Sequence, residues 1–140
     1  METRRISVAL LKTSDGKVAL TWSDPWGAFV LPMTKRSAGP PPETAEQAAV
    51  RAMAEVLQLP VRVVPGQFGR EMRTLQLSGR DGEIHDYQFT VVPVEIHPDF
   101  KWCDITHRSV IFATTAHIQT LDVQPVSPSV KLIIDECMNG

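Results

Sequence analysis

"PETAEQAAVRAMAEVLQLP", residues 42–60, is the stretch on which the reading of this chain turns. Thr44 followed three residues later by Gln47 has the form of a capping box, in which each side chain satisfies a backbone donor at the other's position. Pro60 blocks further regular helix. Between them, at about 100° per residue, Ala49, Val50, Met53 and Leu57 form one apolar stripe, and Ala48, Ala52, Val56 and Leu59 widen it to roughly twice the usual arc. Val56, at roughly 340° on the wheel, is expected beside Ala49 in the core stripe. Gln47, Arg51, Glu55 and Gln58 are left on a narrow polar edge. Arg51 and Glu55 stand four residues apart and can pair across one turn, for about 0.2–0.5 kcal/mol if exposed. The pattern predicts a helix over residues 44–59 packed on a sheet. It leaves open whether Arg51 and Glu55 are an edge ion pair or what remains of a site.

On the amino-terminal side of this helix, "RRISVALLK" and "KVALTWS" read as strands joined by the turn "TSDG", and "AFVLP" as a short apolar strand after "DPWG". The loop "KRSAGPPP" follows, and its three consecutive prolines exclude helix or central sheet. On the carboxy-terminal side, "VRVV", "EMRTLQLSG" and "EIHDYQFTVVPVEI" read as strands. In the last, Tyr87, Phe89 and Val91 alternate against Asp86, Gln88 and Thr90, so one face is expected to be buried. "RSVIFAT" is a further strand, "AHIQTL" a short helical turn, and residues 127–138 a terminal helix opened by Ser127 and Pro128. Strands with two inserted helices suggest an α+β or α/β/α layered domain over residues 1–140, with a helix on each face of a mixed sheet.

Composition narrows the class. At 140 residues, 43% hydrophobic and a net charge of −2, the chain suits one ordinary globular domain. Such a balance does not suggest disorder or a basic nucleic-acid surface, so neither DNA nor RNA is expected as a partner. The longest apolar runs fall short of the roughly 20 residues of a membrane span. "METRRISVALLK" lacks the features of a signal peptide, which leads to an expectation of a cytoplasmic protein without a membrane partner. Cys103 and Cys137 are far apart and read as reduced thiols. Cys103 and His107 lack the second pair of ligands that a zinc site needs. His85 and Asp86 point to opposite strand faces, and neither a nucleophile elbow nor a phosphate-binding glycine loop is present.

The run "ETAEQAAVRAMAEVLQL" resembles the helix of the Nudix box. That pattern is Gly, five residues, Glu, seven residues, Arg-Glu, an aliphatic, any residue, Glu-Glu, any residue, Gly, an aliphatic. Aligned on Arg51, it is matched by Glu43, Arg51, Met53, Glu55 and Leu59. Ser37, Ala52, Val56 and Gln58 stand where it has Gly, Glu, Glu and Gly. The hairpin before the helix, "WGAFVLP", "YQFTVV", "SVIFATTAHIQTL" and the terminal helix follow in the order of the Nudix fold, so the resemblance spans nearly the whole chain.

The resemblance implies hydrolysis of a pyrophosphate linkage in nucleoside diphosphate derivatives, with magnesium or manganese neutralising phosphate and activating water. Hard cations need oxygen ligands, and helix positions i, i+3 and i+4 aim three carboxylates at one spot. Those positions here are Ala52, Glu55 and Val56, so one carboxylate of three remains. The remnant catalytic set is Glu43, Arg51 and Glu55, and no cofactor is expected unless the chain is active. If a metal binds, Glu55 would hold it together with Asp104; Asp99, Glu83 and Glu95 are the other acidic candidates. The Pro-Gly-Gly entry of the family reads "PMTKR" here, which puts side chains where backbone approaches phosphate. Trp26, Phe29 and Trp102 are candidate stacking surfaces for a base, and Lys35 and Arg36 candidate phosphate contacts.

Three readings follow. The chain is a catalytically impaired Nudix domain that binds or senses a nucleotide-like molecule, or an active hydrolase with a relocated metal site, or a protein-interaction module that forms a homodimer or takes a protein partner. The first is favoured.

Overall fold

A computed structural model describes residues 3–13, 16–24, 27–37, 39–67, 69–77, 81–98, 110–114, 116, 118, 128–135 and 137. Its strands are β1 (Thr3–Leu11), β2 (Lys17–Ser23), β3 (Ala28–Val30), β4 (Met33–Lys35), β5 (Val61–Val63), β6 (Arg70–Leu77), β7 (Ile84–Ile96) and β8 (Val110–Thr114). Helix α1 (Ala45–Ala52) runs into a π-type turn, Met53–Leu57, and α2 (Pro128–Ile134) lies near the carboxy terminus.

β1 and β7 form the centre of a mixed five-stranded sheet. They run parallel, with Ile6 beside Phe89 and Ala9 beside Val92. β4 pairs antiparallel with the other side of β1, and β5 and β6 share the outer side of β7. Pro93, which has no N–H to donate, falls where β6 has ended at Val91 and β5 has not begun at Val94. A second, three-stranded antiparallel sheet has the order β3-β2-β8.

β1 is buried continuously from Ser7 to Leu11 because both of its faces are covered. Val8 and Leu10 pack with Phe89, Val91 and the α2 residues Val130, Ile133 and Ile134. Ala9 and Leu11 pack with Val92, Val94 and the α1-side residues Ala49, Met53, Leu57 and Leu59. The expected sheet with a helix on each face is therefore present. β7 differs from its expected alternation: Tyr87, Phe89 and Val91 are buried, but so are Val92 and Val94, since α1 covers the second face. No described helix is long and apolar enough to cross a membrane.

The capping box of α1 forms in both directions: Gln47 N–H donates to Thr44 Oγ1 at 3.1 Å, and Thr44 N–H to Gln47 Oε1 at 3.0 Å. The other end departs from the expected wheel. A π turn closes i to i+5, so each residue advances by less than an α-helical step and Leu57, not Val56, arrives over Ala49. Leu57 is 1% exposed, whereas Val56 is 46% exposed. Val56 is thus corrected from core to surface, and Ala52, at 0%, is the buried member of the two. The turn ends at Gln58 with φ 53° and ψ 36°, a left-handed conformation for which glycine is suited. This is the late glycine position of the Nudix pattern, and among the described residues Gln58 is the only non-glycine with positive φ. Leu59 N–H then donates to Met53 O at 3.1 Å, a Schellman-like closure widened by one residue.

Candidate functional site

Arg51 is the hub of the region before and around α1, and it makes five hydrogen bonds. Its Nε and Nη2 each lie 2.8 Å from one oxygen of Glu43, a bidentate fork that fixes direction as well as distance. Nη2 also donates to Lys35 O at 3.0 Å, and Nη1 to Thr34 Oγ1 at 3.4 Å and Glu55 Oε2 at 3.2 Å. One guanidinium therefore ties the helix to β4 and to the proline-rich loop.

The loop is fastened at its other end by Glu43. Its Oε1 accepts from Ser37 N–H at 3.0 Å, and its own N–H donates to Ser37 O at 3.0 Å. Arg36 donates to the Glu43 carbonyl, with Nη2 at 3.2 Å. Gly39 makes the bend (φ +99°), and a Cβ on it would lie 2.5 Å from Pro42 N. Hydrogen bonds from Arg51, then from the Ser37 backbone, hold the Glu43 carboxyl down at about 2. The Glu43 hydrogen bonds in turn raise Arg51 above its ordinary range.

Against this geometry the three remnant residues Glu43, Arg51 and Glu55 do come together, but in two different roles. Glu43 and Arg51 form a part-buried clasp, with side chains 14% and 34% exposed. Glu55 stands outside it at 60%. Among the described residues, the carboxylates that the family pattern expects around Glu55 are not assembled. The ligand positions beside Glu55 hold a buried alanine and an exposed valine, and the Glu55 carboxylate itself faces a cation on its own helix. Among the described residues, no group of three ligand-bearing side chains includes Glu55.

Of the other acidic candidates, the two described ones lie elsewhere. Glu95 pairs with Arg62 at 2.8 Å across β5 and β7. Glu83 belongs to a group with Asp81 and His85 at the β6–β7 turn. There Asp81 Oδ2 lies 2.8 Å from Arg4 Nη2 and 2.7 Å from His85 Nε2, and Oδ1 accepts from Glu83 N–H at 2.9 Å. That backbone donor and the His85 contact hold the Asp81 carboxyl down at about 2. The group closes the turn and ties it to β1. Asp99 and Asp104, like Cys103 and His107, lie outside the described residues.

Of the binding candidates, Trp26 and Trp102 also lie outside the described residues. Phe29 is half-buried against the α2-side core and meets Trp22 edge-on, with ring centroids 5.2 Å apart. Trp22 is 38% exposed, and its indole N–H donates to Asp24 at 2.8 Å. Lys35 is exposed and contributes its carbonyl to Arg51, while Arg36 serves the loop. Sequence reasoning missed Trp22, Thr34 and Asp81. Trp22 carried a signal, since it faces Phe29 across a hairpin ladder. Thr34 did not, because β4 is a three-residue strand inside a segment read as loop. A cavity of about 650 Å³ opens on the α2 face of the sheet, beside Leu10, Lys12, Gln67, Arg70, Pro93 and Cys137. Of the described candidates only Glu95 lines it.

No family model matches the sequence, and no curated protein does. Solved structures do. A Nudix hydrolase from Nitrosomonas europaea superposes with a TM-score of 0.68 at 15% identity, covering 96% of this chain and 88% of that one. An E. coli dihydroneopterin triphosphate pyrophosphohydrolase gives 0.65 at 14% identity, over 97% and 96%. The Ap4A hydrolase of C. elegans gives 0.59 at 12% identity, over 94% of each chain. With its mixed sheet, the helix on each face and these likenesses, the chain has the fold of the Nudix hydrolases.

Proposed function

We propose that this chain is a cytoplasmic Nudix-fold domain that binds a nucleotide-like, phosphate-bearing small molecule and has lost most or all of the metal-dependent hydrolysis its relatives perform. The observation that carries the reading is the fate of the three ligand positions. Ala52 is sealed against the sheet, Val56 offers no donor, and Glu55 alone keeps a carboxylate. A single exposed carboxylate facing an arginine is a poor host for a hard cation, which asks for six or more oxygens. The clasp of Glu43, Arg51, Arg36 and Ser37 is meanwhile intact, so the loop and helix keep their relative placement without the metal. The names of the solved relatives motivate the ligand class, and Trp22, Phe29 and the exposed Lys35 are the groups available to stack on a base or meet a phosphate.

Nucleoside diphosphate and triphosphate derivatives, dinucleoside polyphosphates among them, are screened with magnesium and with manganese. Cleavage of the pyrophosphate linkage, read by separating the nucleotide products, is scored beside the rise in melting temperature. Binding to the native state must raise stability. The expected result is stabilisation by at least one compound with no metal-dependent cleavage. Sustained cleavage abolished by Glu55→Gln would instead support an active hydrolase. Glu55, being accessible, would then be completed by a carboxylate such as Asp104.

A further inference from the structure

The β6–β7 hairpin has two unused surfaces that lie side by side. β6 pairs with β7 on one edge, and among the described residues no strand pairs with its other edge, a row of backbone donors and acceptors. On the face that α1 covers farther along the sheet, the end of the hairpin is apolar: Leu75, Leu77 and Ile84 are 63%, 59% and 57% exposed. Leu77 lies directly across from Ile84. Edge strands are commonly protected by proline, lysine or a bulge. "REMRTLQL" has no proline and no lysine, and its ladder with β7 is uninterrupted from Arg70 to Leu77.

We infer that β6 is a dimerisation strand that pairs antiparallel with β6 of a second copy of this chain, about a two-fold axis at Met72. The charges select that axis. Residues opposite each other across an antiparallel pair share a face and interact directly, and in a two-fold pair every contact occurs twice. With the axis at Met72, Glu71 of each copy faces Arg73 of the other. With the axis at Arg73 the two arginines face one another, and with the axis at Thr74 both charges face leucines. Arg73 is available for a second carboxylate while it holds Asp86 within its own chain, since its side chain is 61% exposed. Glu71 is exposed and has no ion pair among the described residues.

The same register places Leu75 of one copy opposite Gly69 of the other. A Cβ on Gly69 would meet the methyl carbons of Thr90 at 2.9 Å and Val92 at 3.5 Å, so the incoming leucine finds an apolar surface there and no competing side chain. Dimerisation would thus cover Leu75, continue the mixed sheet across two copies and remove the open edge.

Sedimentation equilibrium of the full chain from about 5 to 300 μM tests the inference, because a dimer's population depends on protomer concentration. The wild type is expected to dimerise in that range. Glu71→Arg and Arg73→Glu, each alone, should weaken dimerisation at least about tenfold through like-charge contact made twice. An equimolar mixture of the two should dimerise again, since arginines of one copy then face glutamates of the other. Leu75→Lys, an exposed substitution directly across from Asp86 that keeps both Glu71 and Arg73, should also give a folded monomer by placing a charge against the apolar surface at Gly69. A wild type that is monomeric at the top of the range overturns the proposal. So does a folded Leu75→Lys that still dimerises, or a mixture of two folded charge variants that stays monomeric.

Discussion

The two halves of the helix that begins after Thr44 are held in opposite ways. In the first, residues 45–52, both capping-box bonds are made, Ala45, Ala48, Ala49 and Ala52 are buried, and Arg51 binds β4, the preceding loop and Glu43. In the second, Met53–Leu57, the backbone widens to a π turn, only Met53 and Leu57 are buried, and the turn ends on a left-handed glutamine. The residues matching the Nudix pattern divide along the same line. Glu43 and Arg51 are kept in the half where they bear on folding. Glu55 stands in the second half beside Val56, while the other vacated carboxylate position, Ala52, is buried at the end of the first. Retention of a motif residue is therefore no evidence of chemistry when its partners are backbone and loop.

The sharpest way to break this comparison is to put a carboxylate in each half. Ala52→Glu places a charge at a fully buried position and should cost about 3–5 kcal/mol, enough to unfold much of the population, as read by urea denaturation. Arg51→Met comes next. It leaves the part-buried Glu43 carboxylate without its fork and should cost about 2–3 kcal/mol, with Glu43→Gln costing less because the more exposed Arg51 guanidinium keeps Glu55 as a partner.

The clasp also predicts a pH dependence. The Glu43 pKa is depressed in the folded state, so its contribution is fully present above the unfolded value near 4.5. It fades as pH falls toward about 2. Denaturation midpoints between pH 6 and 2.5 should therefore drop more steeply for wild type than for Glu43→Gln, and parallel curves would count against the clasp. Gln58→Gly should raise stability by about 0.5–1 kcal/mol, by relieving the left-handed glutamine less the entropy glycine costs. The smallest effect belongs to Val56→Glu, which sits on the exposed side and should stay within about 0.5 kcal/mol of wild type.

Much of the fold was legible because local chemistry and tertiary packing agree. Thr44 and Gln47 announced the helix start, Pro60 its end, and the alternation in β7 its buried face. The π turn was not legible, since nothing in "MAEVL" distinguishes it from an α-helix, and that single backbone choice moved Val56 out of the core while Leu57 stayed in it. β4 was hidden because three residues show no period, and with it went Thr34 and the anchoring of Arg51. In the site, spacing brought Glu43, Arg51 and Glu55 into one frame but could not say that a bidentate fork joins the first two. Asp81 and His85 escaped because their contact depends on the closing turn of the hairpin and not on strand alternation. Trp26, Trp102 and Asp104 lie outside the described residues, so their part in a ligand site stays a proposal.

The central claim, that Glu55 is what remains of a metal site that no longer binds metal, is tested most directly by calorimetric titration of the wild type, Glu55→Gln and Val56→Glu with magnesium to about 10 mM, beside melting temperatures in the same buffers. The account predicts no binding heat and no stabilisation for wild type and Glu55→Gln alike. Val56→Glu, with two carboxylates on one exposed stripe, gains weak binding at most. Saturable magnesium binding by the wild type, with a rise in melting temperature that disappears in Glu55→Gln, would contradict it.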